Sequence, residues 1–355
     1  MSERKPVYSL SISGRLTLEL HSLNNEGGEG NQIMTRTVIL VDTEGNIHKV
    51  NAISGDMFKH IQAEHFYLLA RERGLPLCAG CRIFRSDRIL GDSEFLRWAL
   101  ESKRVKKERD GKEKAEWSHL DSEVIDELLR RCSLCDAEGV LIAPPQREQS
   151  SGEKGRERQS GRSIPRKSVA EFGWVVGLPD KVRTESYFHV RYAQERGGEG
   201  EEAQAQPIFH RPASSGIYAA VATLELARIG FNDISQTYAI PEEERLRRYR
   251  VFLESVLYTF VEPNGAMRGT QNPHIVAFEG VVAVSHAVLP APTISPLAED
   301  YQEQVQRIAR ALDPNREQLR VHPFASMADF VTTMRQILEQ TYPYRLFGEG
   351  VNYKA

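Results

Sequence analysis

Two cysteine pairs and two glycine-bearing polar loops are the stretches of this sequence whose residue types could do chemistry. Cys78-x-x-Cys81 and Cys132-x-x-Cys135 use all four cysteines in the chain. Four thiolates fill the tetrahedral shell that structural zinc takes, and such a closed site leaves no open position for a reactive water. The pairs lie about 50 residues apart, where a zinc ribbon keeps them within roughly 15 to 20. A structural zinc at Cys78, Cys81, Cys132 and Cys135 would therefore staple an insertion, and unligated thiols are the alternative.

The first loop runs over residues 24–36 and contains Gly27, Gly28, Gly30, Asn31, Gln32 and Arg36. A short apolar strand follows, and then Ser54-Gly55-Asp56-Met57-Phe58-Lys59-His60, which reads as a helix start. Glycines let a backbone approach a ligand closely, and the free N–H groups of a helix N-terminus attract anions. A phosphate-binding surface is one reading and a plain surface loop with an ordinary N-cap is the other. Neither a P-loop nor a dinucleotide fingerprint fits the glycine spacing. Gly265-Ala266-Met267-Arg268-Gly269-Thr270-Gln271-Asn272 is a second loop of the same kind, with Arg268 its one charge. No HExxH, GxSxG or Cys/His dyad spacing occurs, and Glu26 and Glu29 are the carboxylates of the first loop.

The elements that must position these residues alternate clearly. Apolar residues at Leu10, Ile12, Leu16, Leu18 and Leu20 predict a strand with one buried face. Residues 37–42 and 47–50 flank a Gly45 turn, so a hairpin delivers the chain to a helix over residues 54–73. Gly74 and Pro76 end that helix. A highly charged stretch over residues 92–114 and a segment over 121–131 read as helical. Strands are expected at 139–143, 169–177, 187–192, 214–229 and 274–285. A second long helix begins at Pro241 with three glutamates in its first turn, and two more are expected near 298–312 and 326–340. Strand, helix, strand, strand, helix, strand is the order of the split βαβ or ferredoxin-like fold.

With 355 residues, 40% hydrophobic and 27% charged, the chain is long enough for a full core. The formal net charge of −3 means that any nucleic-acid surface must be a local groove. No apolar run long enough to span a membrane and no signal-peptide core are present, so a cytoplasmic protein without a membrane partner is expected. Residues 146–168 carry seven basic residues against three glutamates and almost nothing apolar, which predicts a basic flexible tract.

Ser11-Ile12-Ser13-Gly14-Arg15, Leu23-Asn24-Asn25-Glu26-Gly27, Asn51-Ala52-Ile53-Ser54-Gly55-Asp56-Met57-Phe58-Lys59-His60, Pro212-Ala213-Ser214-Ser215-Gly216 and Arg228-Ile229-Gly230-Phe231-Asn232-Asp233 resemble, jointly and in order, the DevR branch of the Cas-seven family. These proteins are the repeated guide-RNA-binding backbone subunits of type I CRISPR Cascade complexes, which serve antiviral defence. The resemblance implies an α+β fold: a modified RNA recognition motif as palm, a large helical insertion as finger, and a projecting thumb. On this chain the palm would span residues 1–76 and 139–290, with the thumb near 187–206. The inserted finger with the cysteine pairs would cover 77–138, and helices in 291–355 would complete the palm.

The role implied is non-catalytic. Copies of the chain would stack in a helical filament along crRNA, hold its phosphates, and leave its bases to pair with target DNA. Partners would be crRNA, target DNA, further copies of the chain, and the guide-end-capping, large and small Cascade subunits. Carried over, Asn31, Gln32, Arg36, Ser54, Gly55, Lys59 and His60 would grip the guide from the first half, and Gly265, Met267, Arg268 and Thr270 from the second. Arg156, Arg158, Arg162, Arg166 and Lys167 of the basic tract are candidates for nucleic-acid phosphates. The rival is a metal-dependent ribonuclease cleaving target RNA in a related filament. The first loop has glutamates but no aspartate where the related nucleases carry their cleaving residue, which speaks against it.

Overall fold

The computed structural model describes residues 4–23, 25–29, 32–106, 113–143, 162–190, 208–265 and 271–347. The chain begins with β1 (Lys5–Val7) and β2 (Ser9–His21). In β2 the period-two pattern does what it predicts: Leu10, Ile12, Leu16 and Leu18 are fully buried on one face. Ser9, Ser11 and Ser13 occupy the other, where the Ser11 hydroxyl donates to the Pro292 carbonyl at 2.7 Å. Both faces of this strand are therefore covered, one by helices and one by the segment that follows residue 290.

The hairpin β3 (Thr37–Val41) and β4 (Ile47–Ile53) leads into helix α1 (Gly55–Glu72). After the insertion come β5 (Val175–Val190), β6 (Ile208–Leu224), α2 (Glu242–Val261) and β7 (His274–Ser285). Helix α3 (Tyr301–Leu312), β8 (Leu319–Phe324) and α4 (Met327–Gln340) follow. The main sheet runs β8-β7-β2-β6-β5-β4-β3, with every neighbouring pair antiparallel. This is a mixed α+β fold with one large antiparallel sheet.

α1 and α2 lie side by side on the sheet, because each carries aromatic residues at three-and-four spacing. Phe58 meets Phe260 at 5.8 Å between ring centroids and Phe66 meets Phe252 at 6.4 Å. Gln62 on α1 donates to Ser255 on α2 at 2.8 Å, a buried polar tie inside an otherwise apolar contact.

Within residues 77–138 the expected long charged helix is not present. A helix covers only Ser93–Ala99, after which Ser102–Lys106 and Glu113–Trp117 pair as a small antiparallel hairpin. The charges misled because the stretch has no apolar stripe at helical period, and without one nothing commits it to a helix. The segment over 121–131 is helical as expected, Asp121–Arg131, and is followed by the short helix Ser133–Glu138. Strand β8 was not foreseen, since Pro323 interrupts its pattern. It lies at the sheet edge, where a residue without an N–H is tolerated.

β5 and β6 extend past their neighbours. β2 stops at His21 opposite Ser214, while β5 and β6 stay paired from Glu185 opposite Ala213 to Val190 opposite Ile208. This is the base of a projecting hairpin, with Phe188 72% exposed near its far end. Most of the expected thumb, residues 191–206 of 187–206, lies outside the described residues, as do residues 146–161 of the basic tract.

Candidate functional site

The first glycine-bearing stretch is not the open loop expected: Asn25–Glu29 and Gln32–Thr35 pair as an antiparallel hairpin, and its root meets the described ends of the second loop at one end of the sheet. Ser22, immediately after β2, places its Oγ 2.5 Å from the side-chain oxygen of Gln271 and 2.8 Å from the Pro212 carbonyl oxygen. Gly265 packs on Leu23 so closely that an added Cβ would stand 2.6 Å from a leucine methyl. The loop after β2 and the loop before β7 are thereby held against each other, with the base of the projecting hairpin as a third partner.

A buried polar chain fixes the far side of the first loop. The Tyr218 hydroxyl donates to Asn51 Oδ1 at 2.8 Å, and the Asn51 amide donates to Thr35 Oγ1 at 3.0 Å and to the Arg36 carbonyl at 3.1 Å. Burial pushes the Tyr218 hydroxyl far above its usual range, so it acts as a donor throughout. His21 packs edge-on against Tyr218 with centroids 5.0 Å apart. Desolvation lowers its pKa to about 4, leaving a neutral ring under the loops.

The start of α1 sits beside this chain. Ser54 caps the helix, accepting from the Met57 N–H at 3.2 Å. Gly55 is needed for packing, because a Cβ there would lie 2.4 Å from the Phe172 carbonyl oxygen. That contact brings in Trp174, 44% exposed, with the Arg36 guanidinium 5.2 Å from its ring centre. Lys59 is half-buried one turn along and His60 is exposed, its ring 5.5 Å from that of Phe84. Desolvation lowers the Lys59 pKa, opposed by the charge of Glu138.

Arg36, Ser54 and Gly55 lie beside the Asn51 chain, with Lys59 and His60 one turn along α1, and Gly265 stands at the Ser22–Gln271 junction. Ala52 is in line with Val176, Ala219 and Arg15, so the helix start is level with the middle of β2 and not with the end of the sheet where the two segments meet. Gln32 is paired by backbone with His210. Asn31, Met267, Arg268 and Thr270 lie outside the described residues. Trp174 was missed: in the sequence it stands in an apolar strand pattern, and its exposure arises from the break between strands Ala170–Phe172 and Val175–Val190.

Arg162 and Arg166 require correction as phosphate contacts. Both are buried, because each neutralises and hydrogen-bonds groups that the fold has removed from water. Arg166 bonds Asp136 at 2.7 Å, Asp233 at 3.1 Å and the carbonyls of Phe231 and Arg228. Arg162 donates to the Ala99 carbonyl at 2.9 Å, bonds Asp121, and stacks on Trp117. Lys167 remains partly exposed but pairs with Glu171 and Glu225, each at 3.0 Å. Arg156 and Arg158 lie outside the described residues.

The four cysteines, from the two ends of the insertion, meet in one cluster. All four sulfurs are buried and lie within 4.8 Å of one another, with Cys81 to Cys135 at 3.6 Å and Cys78 to Cys135 at 4.0 Å. An ion with sulfur ligands at about 2.3 Å in a tetrahedron separates them by roughly 3.8 Å, so the donor set fits a metal. Burial and the neighbouring cysteines push the Cys135 thiol well up. A cation at the centre would reverse that penalty.

The sequence model of the family described as "CRISPR-associated negative auto-regulator DevR/Csa2" matches residues 12–306. A protein of Methanocaldococcus jannaschii named "CRISPR-associated protein Cas7/Cst2/DevR" is 25% identical over 346 residues, covering 93% of this chain and 97% of that one. A chain of a solved "CRISPR RNA-guided surveillance complex, pre-nicking" superposes with a TM-score of 0.46 at 11% identity, over 93% of this chain and 99% of its own. A chain of a "CRISPR RNA-guided surveillance complex" does so with a TM-score of 0.43 at 9% identity, over 93% and 98%.

Proposed function

This chain belongs to the DevR/Csa2 family of CRISPR-associated proteins, and from that premise we propose that it is a guide-RNA-holding subunit of a surveillance complex. The observation that carries the proposal is the meeting of the residue 22–36 segment with the residue 264–273 segment at one end of the sheet, the start of α1 lying farther along the first segment beside Asn51 and Arg36. Glycine-bearing backbone that a ligand can approach closely, with the N–H groups of a capped helix along the same segment, would hold a polyanion without reading its sequence. Lys59 and Arg36 supply charge there, and Trp174 offers a ring face on which a base can stack.

The order strand β2, helix α1, strand β5, strand β6, helix α2, strand β7, with β7-β2-β6-β5 as neighbours in the sheet, supports the reading of the core as an RNA recognition motif variant. The projecting hairpin is the part that would reach a neighbouring copy along the RNA. Target DNA would be recognised by the guide's own bases. The four cysteines would hold one structural zinc, tying residues 78–81 to 132–135 and so closing the insertion at both ends.

On this reading the chain holds RNA and does not cleave it. The test is to purify the chain with its genomic partners, sequence the RNA it retains, and incubate the complex with target RNA and magnesium. Retained guide-length RNA and intact target are expected. Periodic cuts in the target would replace this reading with a nuclease.

A further inference from the structure

A second basic site lies at the other end of the molecule, away from both loops. β7 runs from His274, next to the residue 264–273 loop, to Ser285, a distance of roughly 35 Å for its twelve residues. At the Ser285 end, β1, β7, β8 and α4 enclose a cavity of about 240 Å³ lined by Lys5, His286, Arg320, His322, Gln336 and Gln340, among others. This is smaller than the ~300–1,000 Å³ of ordinary small-molecule sites, so it suits a compact group.

Its chemistry is one-sided. Lys5 comes from β1, His286 follows β7, and Arg320 and His322 stand on one face of β8 opposite Val284 and Val282. α4 adds Thr333, Gln336 and Gln340 at helical spacing, all neutral hydrogen-bonding groups. No carboxylate lines the cavity, and Lys5, Arg320 and His322 form no ion pair among the described residues. Asp313 attracts Arg320 from outside the cavity, and its carboxylate accepts from the N–H groups of Gln318 and Leu319. Four cationic or protonatable side chains gathered with no carboxylate in the cavity repel one another unless an anion joins them.

We propose that this cavity is a phosphate site, built by Lys5, His286, Arg320 and His322 with the Gln336 and Gln340 amides, and distinct from the guide-holding loops. A doubly charged, compact oxyanion with several acceptor oxygens matches the number of donors better than a single carboxylate does. The ligand is either free phosphate or a phosphate of nucleic acid passing the edge of the sheet.

His286 makes the site sensitive to pH. Its Nδ1 lies 2.7 Å from the Pro6 carbonyl oxygen, which can only accept, so Nδ1 carries the proton. In the neutral ring Nε2 is then an acceptor and repels an oxyanion, and protonation converts it to a donor. Desolvation holds both His286 and His322 below the usual histidine range, with Lys5 and Arg320 adding to the effect on His286 and His286 and Arg320 to that on His322. An anion reverses those electrostatic contributions, so binding takes up protons and strengthens as pH falls.

The test is titration of the full-length protein with inorganic phosphate at about pH 7.5, and with sulfate, which is doubly charged at both values, at about pH 6 and about pH 7.5, followed by the ring signals of its histidines. Saturable shifts confined to two rings, assigned by His286→Asn and His322→Asn, are expected, with tighter sulfate binding at the lower pH. Arg320→Gln, on an exposed edge-strand position, should weaken binding by about tenfold or more without loss of fold. A short single-stranded oligonucleotide that moves the same two signals identifies the source as nucleic acid, and phosphate alone moving them identifies free phosphate. Absence of a saturable shift, or undiminished binding to folded Arg320→Gln, overturns the proposal.

Discussion

Ser22 Oγ lies 2.5 Å from Gln271 Oε1, a contact between residues 249 apart in the chain that joins the two glycine-bearing loops at the end of the sheet. Neither loop is a site by itself. Their junction at one end of the sheet, with the start of α1 farther along the first segment beside Asn51 and Arg36, is the surface proposed to hold the guide.

The Tyr218–Asn51–Thr35 chain holds that surface in shape. Asn51→Ala removes the acceptor of a buried phenol and two donors to the first loop, and should cost about 1–3 kcal/mol of unfolding free energy. Denaturant unfolding measures it. RNA retention should fall further than this loss predicts, because the loop loses its anchor. Retention equal to wild type in a folded variant would show that the chain of bonds is structural alone.

Asp136 should be among the most sensitive positions in the molecule. Its carboxylate accepts from Arg166 at 2.7 Å, from Arg248 at 3.0 Å and from the Gly230 N–H at 3.0 and 3.1 Å, all buried. Removing the charge takes the shared buried carboxylate from both guanidiniums, leaving Asp233 for Arg166 and Glu244 for Arg248, so Asp136→Asn should cost about 3 kcal/mol. Glu127→Gln, which loosens a partly exposed pair with Arg131 at 2.9 Å, should cost well under 1 kcal/mol, or roughly 0–1 by the usual measure of such pairs. Similar midpoints for the two variants in urea would contradict the assignment.

Glu138 gives the fold a pH dependence of known sign. It is fully buried, and burial raises its pKa from 4.5 to about 7 against the opposing charges of Arg88 and Lys59 and the neighbouring Gln62 amide. The folded state then keeps a proton that the unfolded chain gives up. The stabilisation is complete below about pH 4.5 and is lost as pH rises to about 7, by at most roughly 3 kcal/mol. Glu138→Gln should flatten the stability profile in that window, and an unchanged slope would assign it to another group.

The four-cysteine cluster should hold about one zinc per chain. Metal analysis of the purified protein checks the stoichiometry, and Cys81→Ser should lose the metal and lower the midpoint of thermal unfolding. Protein free of zinc after purification in zinc-containing medium would leave the cysteines as buried thiols.

What the sequence made legible, and what it hid, follows from the range of each interaction. β2, α1, α2 and β7 were readable because burial imposes a local period on apolar residues. The cysteine cluster was readable because a metal shell needs a fixed number of sulfurs. The Ser102–Trp117 hairpin and β8 were not, since charge and a lone proline carry no period. Arg162 and Arg166 looked like free cations in a basic tract, and only the fold shows Asp121 and Asp136 waiting for them. Trp174 was hidden for the converse reason, an apolar residue whose exposure depends on a break between two strands.

The most direct test of the guide-holding surface is the RNA content of the purified protein, read as the ratio of absorbance at 260 and 280 nm, for wild type and for Lys59→Glu combined with Arg268→Glu. Retained RNA in the wild type and a marked fall in the folded double variant are predicted. Equal ratios, or a wild-type protein that carries no RNA when made with its guide, would contradict the account.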